Sequence, residues 1–325
     1  MMNERRVVVA THGHCFDGMC SAAMFTRLLS EALPAAYAFR YRASGYGPGQ
    51  NGVAESALSG DVNAILDFRF TTTSKLDWYF DHHQSAFVTK EDRESYEKGA
   101  SQAPRHMFHD AAYSSCTKLI ADIGASAFHV DFSAQKALID WADMIDAARF
   151  PNAEMAVARK EPVLQLMTVV EHRGDDAFLQ AMVPRLLRES IDEIARSEDV
   201  QTLYAPLREQ HEAFVKLVTD HAKDDGQVVT VDLSEVLLDV AGKFVTYALY
   251  PDSAYSVLLT RSKSKCKISI GYNPWCKTPR THNIAAICER YGGGGHPVVG
   301  AISTTADELE RAKKIVADVS AELRT

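Results

Sequence analysis

The six cysteines contain no Cys-x-x-Cys pair, which removes a zinc knuckle and a dithiol redox site from consideration. No run of lysine and arginine occurs either; the formal net charge is −8 and the pI about 5.8. A protein that tracks long nucleic acid carries a basic stripe. Without one, the expected partner is a small anionic ligand held at one focused point. No apolar run is long enough to span a bilayer, and nothing like a signal peptide precedes Arg5-Arg6. The expectation is therefore a cytosolic protein with reduced thiols and no membrane partner. Internal repeats and low-complexity segments are also missing.

What is present is ample apolar material. Of 325 residues, 46% are hydrophobic, more than one domain needs, so two domains are expected. The β-branched stretch Arg6 to Ala10 suits a strand buried on both faces. A loop over Thr11 to Gly18 follows, then helical spacing from Met19 to Leu33, with Asp17 near the helix start. Strand, ligand-bearing loop and helix form the opening unit of a doubly wound sheet. Tyr41 to Gly52 reads as a Gly-rich loop. Val62 to Phe68 and Leu76 to Phe80 read as the next strands, and Gln84 to Ala112 as a polar, mobile excursion carrying His106 and His109. Ser114 or Ser115 is suited to cap a helix, and Gln135 to Ala148, Pro162 to Leu187 and Leu203 to His221 read as helices. After a break at Asp224-Asp225-Gly226 the pattern changes. Val228 to Val231, Ala254 to Thr260 and Lys267 to Ile270 read as strands of a second sheet, Asn283 to Tyr291 and Ala306 to Leu323 as helices. The expected fold class is α/β: an N-terminal doubly wound, mostly parallel sheet over 1–195, a helical linker over 196–226, and a smaller C-terminal α/β domain over 227–325.

Three apolar runs deliver Asp or His at their C-terminal tips. Val7-Val8-Val9-Ala10 runs into His12, His14 and Asp17; Ala64-Ile65-Leu66 into Asp67; Trp78-Tyr79-Phe80 into Asp81-His82-His83. Asp143 and Asp146 sit inside an otherwise apolar helix pattern, where packing alone does not justify them. Imidazole mixed with carboxylate suits Mn²⁺ or a similar first-row ion better than Ca²⁺. There are enough donors for two ions, with Asp67 placed to bridge them. Singly, each residue reads equally well as a cap, a turn or a solvated charge; three strand tips with the same chemistry favour metal. A second constellation is Gly292-Gly293-Gly294-Gly295-His296. Four glycines offer bare backbone N–H groups to an anion, and His296 adds a donor. Arg261, Lys263, Lys265 and Arg280 are candidates to neutralise a short phosphate backbone, or are simply soluble strand-edge residues.

With these residues in this order, the sequence resembles the DHH–DHHA1 phosphoesterases over nearly its whole length. The family includes oligoribonucleases (nanoRNases), phosphatases of 3′-phosphoadenosine 5′-phosphate, cyclic-dinucleotide phosphodiesterases and RecJ-type exonucleases. Pyrophosphatases and exopolyphosphatases share the first domain. The resemblance implies a centre of two Mn²⁺ ions, with Mg²⁺ or Co²⁺ as alternatives. His12, Asp17 and Asp67 match ligands of one ion; Asp67, His82 and a fourth-motif Asp match those of the other. Asp146, with Phe150, fits the nanoRNase spacing Asp-x-x-x-Phe; Asp143, one turn earlier, is the alternative. Asp81 is implied to orient the set and His83 to contact the scissile phosphate. His296 and the glycines are implied to bind the far phosphate or nucleoside of the substrate. The first motif departs from the usual His-x-Asp-x-Asp-Gly: His12-Gly13-His14-Cys15-Phe16-Asp17-Gly18 is one residue longer, and His14 stands near the position of an Asp, as a substitute ligand or a substrate contact.

The leading expectation is a cytoplasmic metal-dependent phosphodiesterase that cleaves short oligonucleotides or small cyclic or linear nucleotides to 5′-mononucleotides, does not act on long nucleic acid, and is compatible with a homodimer. The alternatives are an exopolyphosphatase or pyrophosphatase and a non-catalytic nucleotide sensor.

Overall fold

A computed structural model describes residues 4–45, 52–101, 106–238 and 244–325. The chain forms two compact units, Met1–Arg149 with Glu161–Tyr204, and Phe150–Lys160 with Ala205–Thr325. The sequence places the boundary at 195 and assigns 150–160 to the first domain. That segment lies in the second unit because Val157 is buried with Val218, Val231 and Leu258.

The first unit contains β1 (Arg5–His12), α1 (Phe16–Ala32), β2 (Tyr37–Ser44), β3 (Val62–Leu66), β4 (Trp78–Asp81), α2 (Lys90–Ala100), β5 (His106–His109), α3 (Cys116–Phe128) and α4 (Lys136–Asp146). The helix α5 (Ala153–Ala158) belongs to the second unit. The first unit resumes with α6 (Pro162–Arg173), α7 (Asp176–Leu186) and α8 (Ile191–Arg196), and the division falls within α9 (Glu198–His221). The sheet order is β2-β1-β3-β4-β5 and every pairing is parallel. Every residue of β3 is buried, as are Val7 to Ala10 of β1. Parallel strands covered on both faces need unbroken apolar runs, which is why these were legible.

The order reverses between β1 and β3, since β2 lies on one side of β1 and β3 on the other. A crevice opens at such a switch point beyond the carboxyl ends of the strands. Thr11 is level with Leu66, and Leu66 with Phe80. The next residue of each strand, His12, Asp67 or Asp81, therefore emerges at one edge of the sheet, with neighbouring strands about 4.8 Å apart.

Three local expectations are corrected. Tyr41 to Ser44 is the end of β2 rather than loop; its arginines and half-exposed edge position hid the strand, and residues 46–51 lie outside the described residues. Gln84 to Ala112 holds α2, with a Thr89–Asp92 capping box, and the short strand β5; residues 102–105 lie outside the described residues. Pro162 to Leu187 is two helices: Pro162 opens α6 at its first turn and Gly174 ends it before Asp175 caps α7. Ser115, rather than Ser114, caps α3. Among the described residues no helix is long and apolar enough to cross a membrane.

The second unit continues with β6 (Ala222–Asp224), β7 (Val228–Leu237), α10 (Val245–Leu249), β8 (Tyr255–Arg261), β9 (Lys265–Tyr272), α11 (Ile284–Arg290), β10 (Gly294–His296), β11 (Val299–Thr305) and α12 (Leu309–Glu322). Its sheet, β10-β11-β9-β8-β7-β6, is mixed, with β7 and β8 parallel. Ile287 of α11 and Ile315 and Val319 of α12 are buried with Val257, Ile268 and Ile302 of the strands.

Candidate metal centre

Three buried carboxylates meet at the switch point. Asp17 and Asp67 are 1% exposed and Asp81 is fully buried. Around them stand His12, His82, His83 and Asp146: His82 Nε2 is 3.3 Å from Asp146 Oδ2, 3.6 Å from Asp67 Oδ1 and 3.9 Å from Asp17 Oδ2, and His12 Nδ1 is 3.9 Å from Asp67 Oδ2. Like charges gathered in a dry place are costly unless something positive joins them.

Each carboxylate has a different arrangement. Asp81 accepts four hydrogen bonds, from the hydroxyl of Tyr79 (3.0 Å), the backbone N–H groups of His82 (2.9 Å) and His83 (3.3 Å), and His83 Nδ1 (2.7 Å). It is a fixed internal brace. Asp17 accepts from the first N–H groups of α3, Cys116 (2.7 Å) and Thr117 (3.0 Å), which ties α1 to the positive end of that helix. Asp67 is in the left-handed region at φ 52, which turns the chain out of β3 and aims the carboxylate at the crevice. Both oxygens of Asp67 and Nε2 of His82 are buried without a hydrogen-bond partner. His82 Nδ1 faces the carbonyl of Tyr113 at 3.1 Å, so Nδ1 carries the hydrogen and Nε2 is turned toward the acids, the arrangement that orients a metal-ligating imidazole.

The electrostatics agree. Burial first, and then the charges of Asp67 and Asp146, push Asp17 well above the usual carboxylate range. Burial likewise raises Asp67, against the opposing influence of His82. Burial lowers His12. At His82 burial is the largest influence and favours the neutral ring, but Asp146, Asp67 and Asp17 together outweigh it and the group is pushed up to about 11. The cluster thus favours positive charge at this point. Three overlapping donor groups, His12–Cys15–Asp67, Asp67–His82–His83 and Asp17–His82–Asp146, each bring their ligand atoms within 4.8 Å of one another. Orphaned buried oxygens, a poised imidazole nitrogen and a mixed N/O donor set fit one or two divalent first-row ions.

Two sequence candidates lie outside these groups. His14 is exposed and left-handed at φ 55; its backbone N–H donates to the carbonyl of Gly174 (3.0 Å), and it lines a cavity of about 450 Å³ with Gly13, Ser44, Asp175 and Asp176. Asp143 is committed elsewhere, to the hydroxyls of Ser114 (2.6 Å) and Ser115 (3.2 Å) and to Arg149 (2.6 Å). Asp146 is the α4 acid that reaches His82. Sequence reasoning missed Cys15 and Tyr79. Position between His12 and Asp17 was the available signal for Cys15; none pointed to Tyr79.

The loop carrying His14 is held tightly. A Cβ at Gly174 would lie 2.8 Å from the His14 nitrogen, 2.9 Å from its Cα and 2.6 Å from the Val170 carbonyl oxygen. Gly174→Ala is expected to displace the 13–15 loop and weaken Mn²⁺ binding several-fold, at a stability cost of about 1–3 kcal/mol. Mn²⁺ titration calorimetry checks it; unchanged affinity would show that the loop is not positioned from this side.

In the second unit the glycine run is partly structural. The N–H groups of Gly292 and Gly293 donate to Glu289 and Cys288 carbonyls (3.0 and 2.9 Å), and Gly292 is left-handed at φ 79. These two amides therefore do not form the open anion cradle expected. Gly294 and Gly295 enter the edge strand β10 with the exposed His296. Arg280 donates to the carbonyls of His282 (2.7 Å) and Pro297 (3.1 Å), beside His296. Arg261 does not join them. His296 is level with Val299, Val299 with Gly271 and Gly271 with Ser256, three strands across, and Arg261 lies five residues further along β8, about 16 Å in the strand direction.

No protein-family model matches the chain, and no curated protein matches it. Solved structures do. The pGpG-specific phosphodiesterase PggH of Vibrio cholerae superposes with a TM-score of 0.68 at 19% identity, over 97% of this chain and 99% of that one. The DHH domain of a protein assigned to a family of ribosomal proteins gives 0.59 at 12% identity, over 97% and 86%. RecJ of Thermus thermophilus, in complex with Mn²⁺, gives 0.54 at 13% identity; the match covers 98% of this chain and about half (52%) of RecJ. In fold, the chain is a DHH-type α/β protein. The buried acid–imidazole cluster described above lies at the sheet switch point of that fold.

Proposed function

We propose that the chain is a metal-dependent phosphoester hydrolase acting on short oligonucleotides or small nucleotides and releasing 5′-mononucleotides. The observation that carries this reading is the pair of buried, unpartnered Asp67 oxygens set among His12, Asp17, His82 and Asp146. A divalent ion held there would supply Lewis-acid polarisation of a phosphoryl oxygen and a water of lowered pKa. Asp67, His12 and His82 would hold it, with Asp17 and Asp146 completing the donor set. His83 binds the phosphate through Nε2, because Nδ1 is already engaged by Asp81, whose hydrogen bond raises the imidazole and favours its cation. Arg280 steadies the segment that carries His296, which is proposed as the anion contact of the second unit. Likeness to a pGpG-specific phosphodiesterase supports a nucleotide substrate, and likeness to RecJ in complex with Mn²⁺ supports a metal centre. Mn²⁺ and two-ion occupancy are proposed on the same grounds.

The test is the purified chain with Mn²⁺ against pGpG, pApA, 3′-phosphoadenosine 5′-phosphate, short RNA and polyphosphate. Mononucleotide release from at least one nucleotide substrate is expected, abolished by EDTA. No turnover on any of them would overturn the enzyme reading. Faster phosphate release from polyphosphate would replace it with the polyphosphatase alternative.

A further inference from the structure

Cys15 sits in the ligand loop at a position where a cysteine is unusual. It is the N-cap residue of α1, a position that favours Ser, Thr, Asp or Asn, and a thiol beside the Gly18 backbone N–H is a weak substitute for their oxygen. It is not core: Cys20, Cys116, Cys266 and Cys288 are buried, whereas Cys15 is half-buried. It forms no disulfide. Its sulfur instead lies within 4.8 Å of donor atoms of both His12 and Asp67. The second, independent sign of a ligand here is Asp67, 1% exposed, with both oxygens aimed into the same space and unpartnered. The left-handed turn at His14 accounts for the exchange of roles: the imidazole is sent outward and the next residue, Cys15, faces the cluster.

We propose that Cys15 is a metal ligand whose thiolate, with His12 and Asp67, makes one half of the centre chemically unlike the other. This rests on the metal reading above and deepens it. The donors Asp17, His82 and Asp146 are oxygen and nitrogen only and suit Mn²⁺ or Mg²⁺; a thiolate, imidazole and carboxylate set selects a softer ion such as Zn²⁺ or Co²⁺. Asp67 also belongs to a donor group with His82 and His83, and His82 belongs to the oxygen and nitrogen group, so the two halves adjoin. The centre is therefore a mixed one, with a soft-metal position beside a hard-metal position.

Co²⁺ titration of the metal-free full-length chain tests this without an activity assay. The expected result is a thiolate-to-cobalt charge-transfer band in the near ultraviolet together with d–d absorption. In Cys15→Ser the charge-transfer band is lost, the d–d absorption persists, and Zn²⁺ affinity drops about tenfold or more. Co²⁺ binding with no thiolate band, or a band unchanged in Cys15→Ser, would overturn the Cys15 assignment and leave the metal centre standing. No Co²⁺ binding at all would remove both. A second measurement needs no variant. Zn²⁺ is expected to protect Cys15 from iodoacetamide in peptide-mapped alkylation, while the half-buried Cys276 labels as before. Equal labelling of Cys15 with and without Zn²⁺ would count against the proposal.

Discussion

Asp67→Asn is expected to remove activity and metal-induced stabilisation together while leaving the fold intact. Asn has nearly the same shape, tolerates the left-handed backbone at this position (φ 52), and no hydrogen bond to the carboxylate is lost. The charge proposed to hold the ion disappears. Ligand-stabilised transition-state charge is worth several kcal/mol, so kcat/KM should fall roughly 10³-fold or more. Thermal unfolding gives a second readout. Mn²⁺ should raise the midpoint of the wild-type chain by mass action and leave the variant unmoved.

The metal-free comparison has a definite sign. Asp67 and Asp17 are raised by burial, so the folded chain binds their protons more tightly than the unfolded one. Their favourable contribution is present below the usual carboxylate range and is lost as pH rises through the raised values. Asp67→Asn removes part of that loss. The metal-free variant should therefore melt no lower than wild type at neutral pH, with a shallower decline on going from acid to neutral. A variant that melts well below wild type, or that keeps its response to Mn²⁺, would show that Asp67 is not the pivot of the centre.

The second large effect is expected from Asp81→Asn. Asp81 touches His83 Nδ1 at 2.7 Å and is the first cause of the raised imidazole. A group raised in this way carries its charge below the folded pKa and loses it as pH rises. If the imidazolium binds the phosphate, Asp81→Asn should lower kcat by about 10²-fold and move the alkaline limb of the rate profile to lower pH. Metal content should persist, because the Asp81 oxygens are taken up by Tyr79, His82 and His83. His83→Asn should remove the limb altogether. Loss of metal in proportion to activity would instead place Asp81 and His83 in the ligand set and sink the phosphate role.

Some of this centre was written in the order of residues. His12, Asp67 and Asp81 each end an apolar run, and parallel strands stacked in register make the residue after each run emerge at the same edge. That inference needs only the period of a buried strand and the rule that open α/β sheets bind ligands beyond their carboxyl ends. Three strands of the second sheet, β7, β8 and β9, and the terminal helix were legible for the same reason, because their apolar patterns serve their own elements; β6, β10 and β11 were not read from the sequence. Edge strands were not. β2 alternates arginine with aromatic residues, and β5 is four residues long, too short for any period to show.

Local patterning was enough to specify a two-part α/β chain with acids and imidazoles at strand tips, because backbone periodicity and strand polarity act locally and identically in any such sheet. Which donors face the crevice was settled by packing between distant segments. A left-handed residue sent His14 outward and let Cys15 in; Arg149 and two serines claimed Asp143 and left Asp146 to His82; strand register set Arg261 apart from His296. Those outcomes depend on backbone dihedrals and on competition for hydrogen bonds between residues distant in the chain, and neither is encoded in the spacing of residue types.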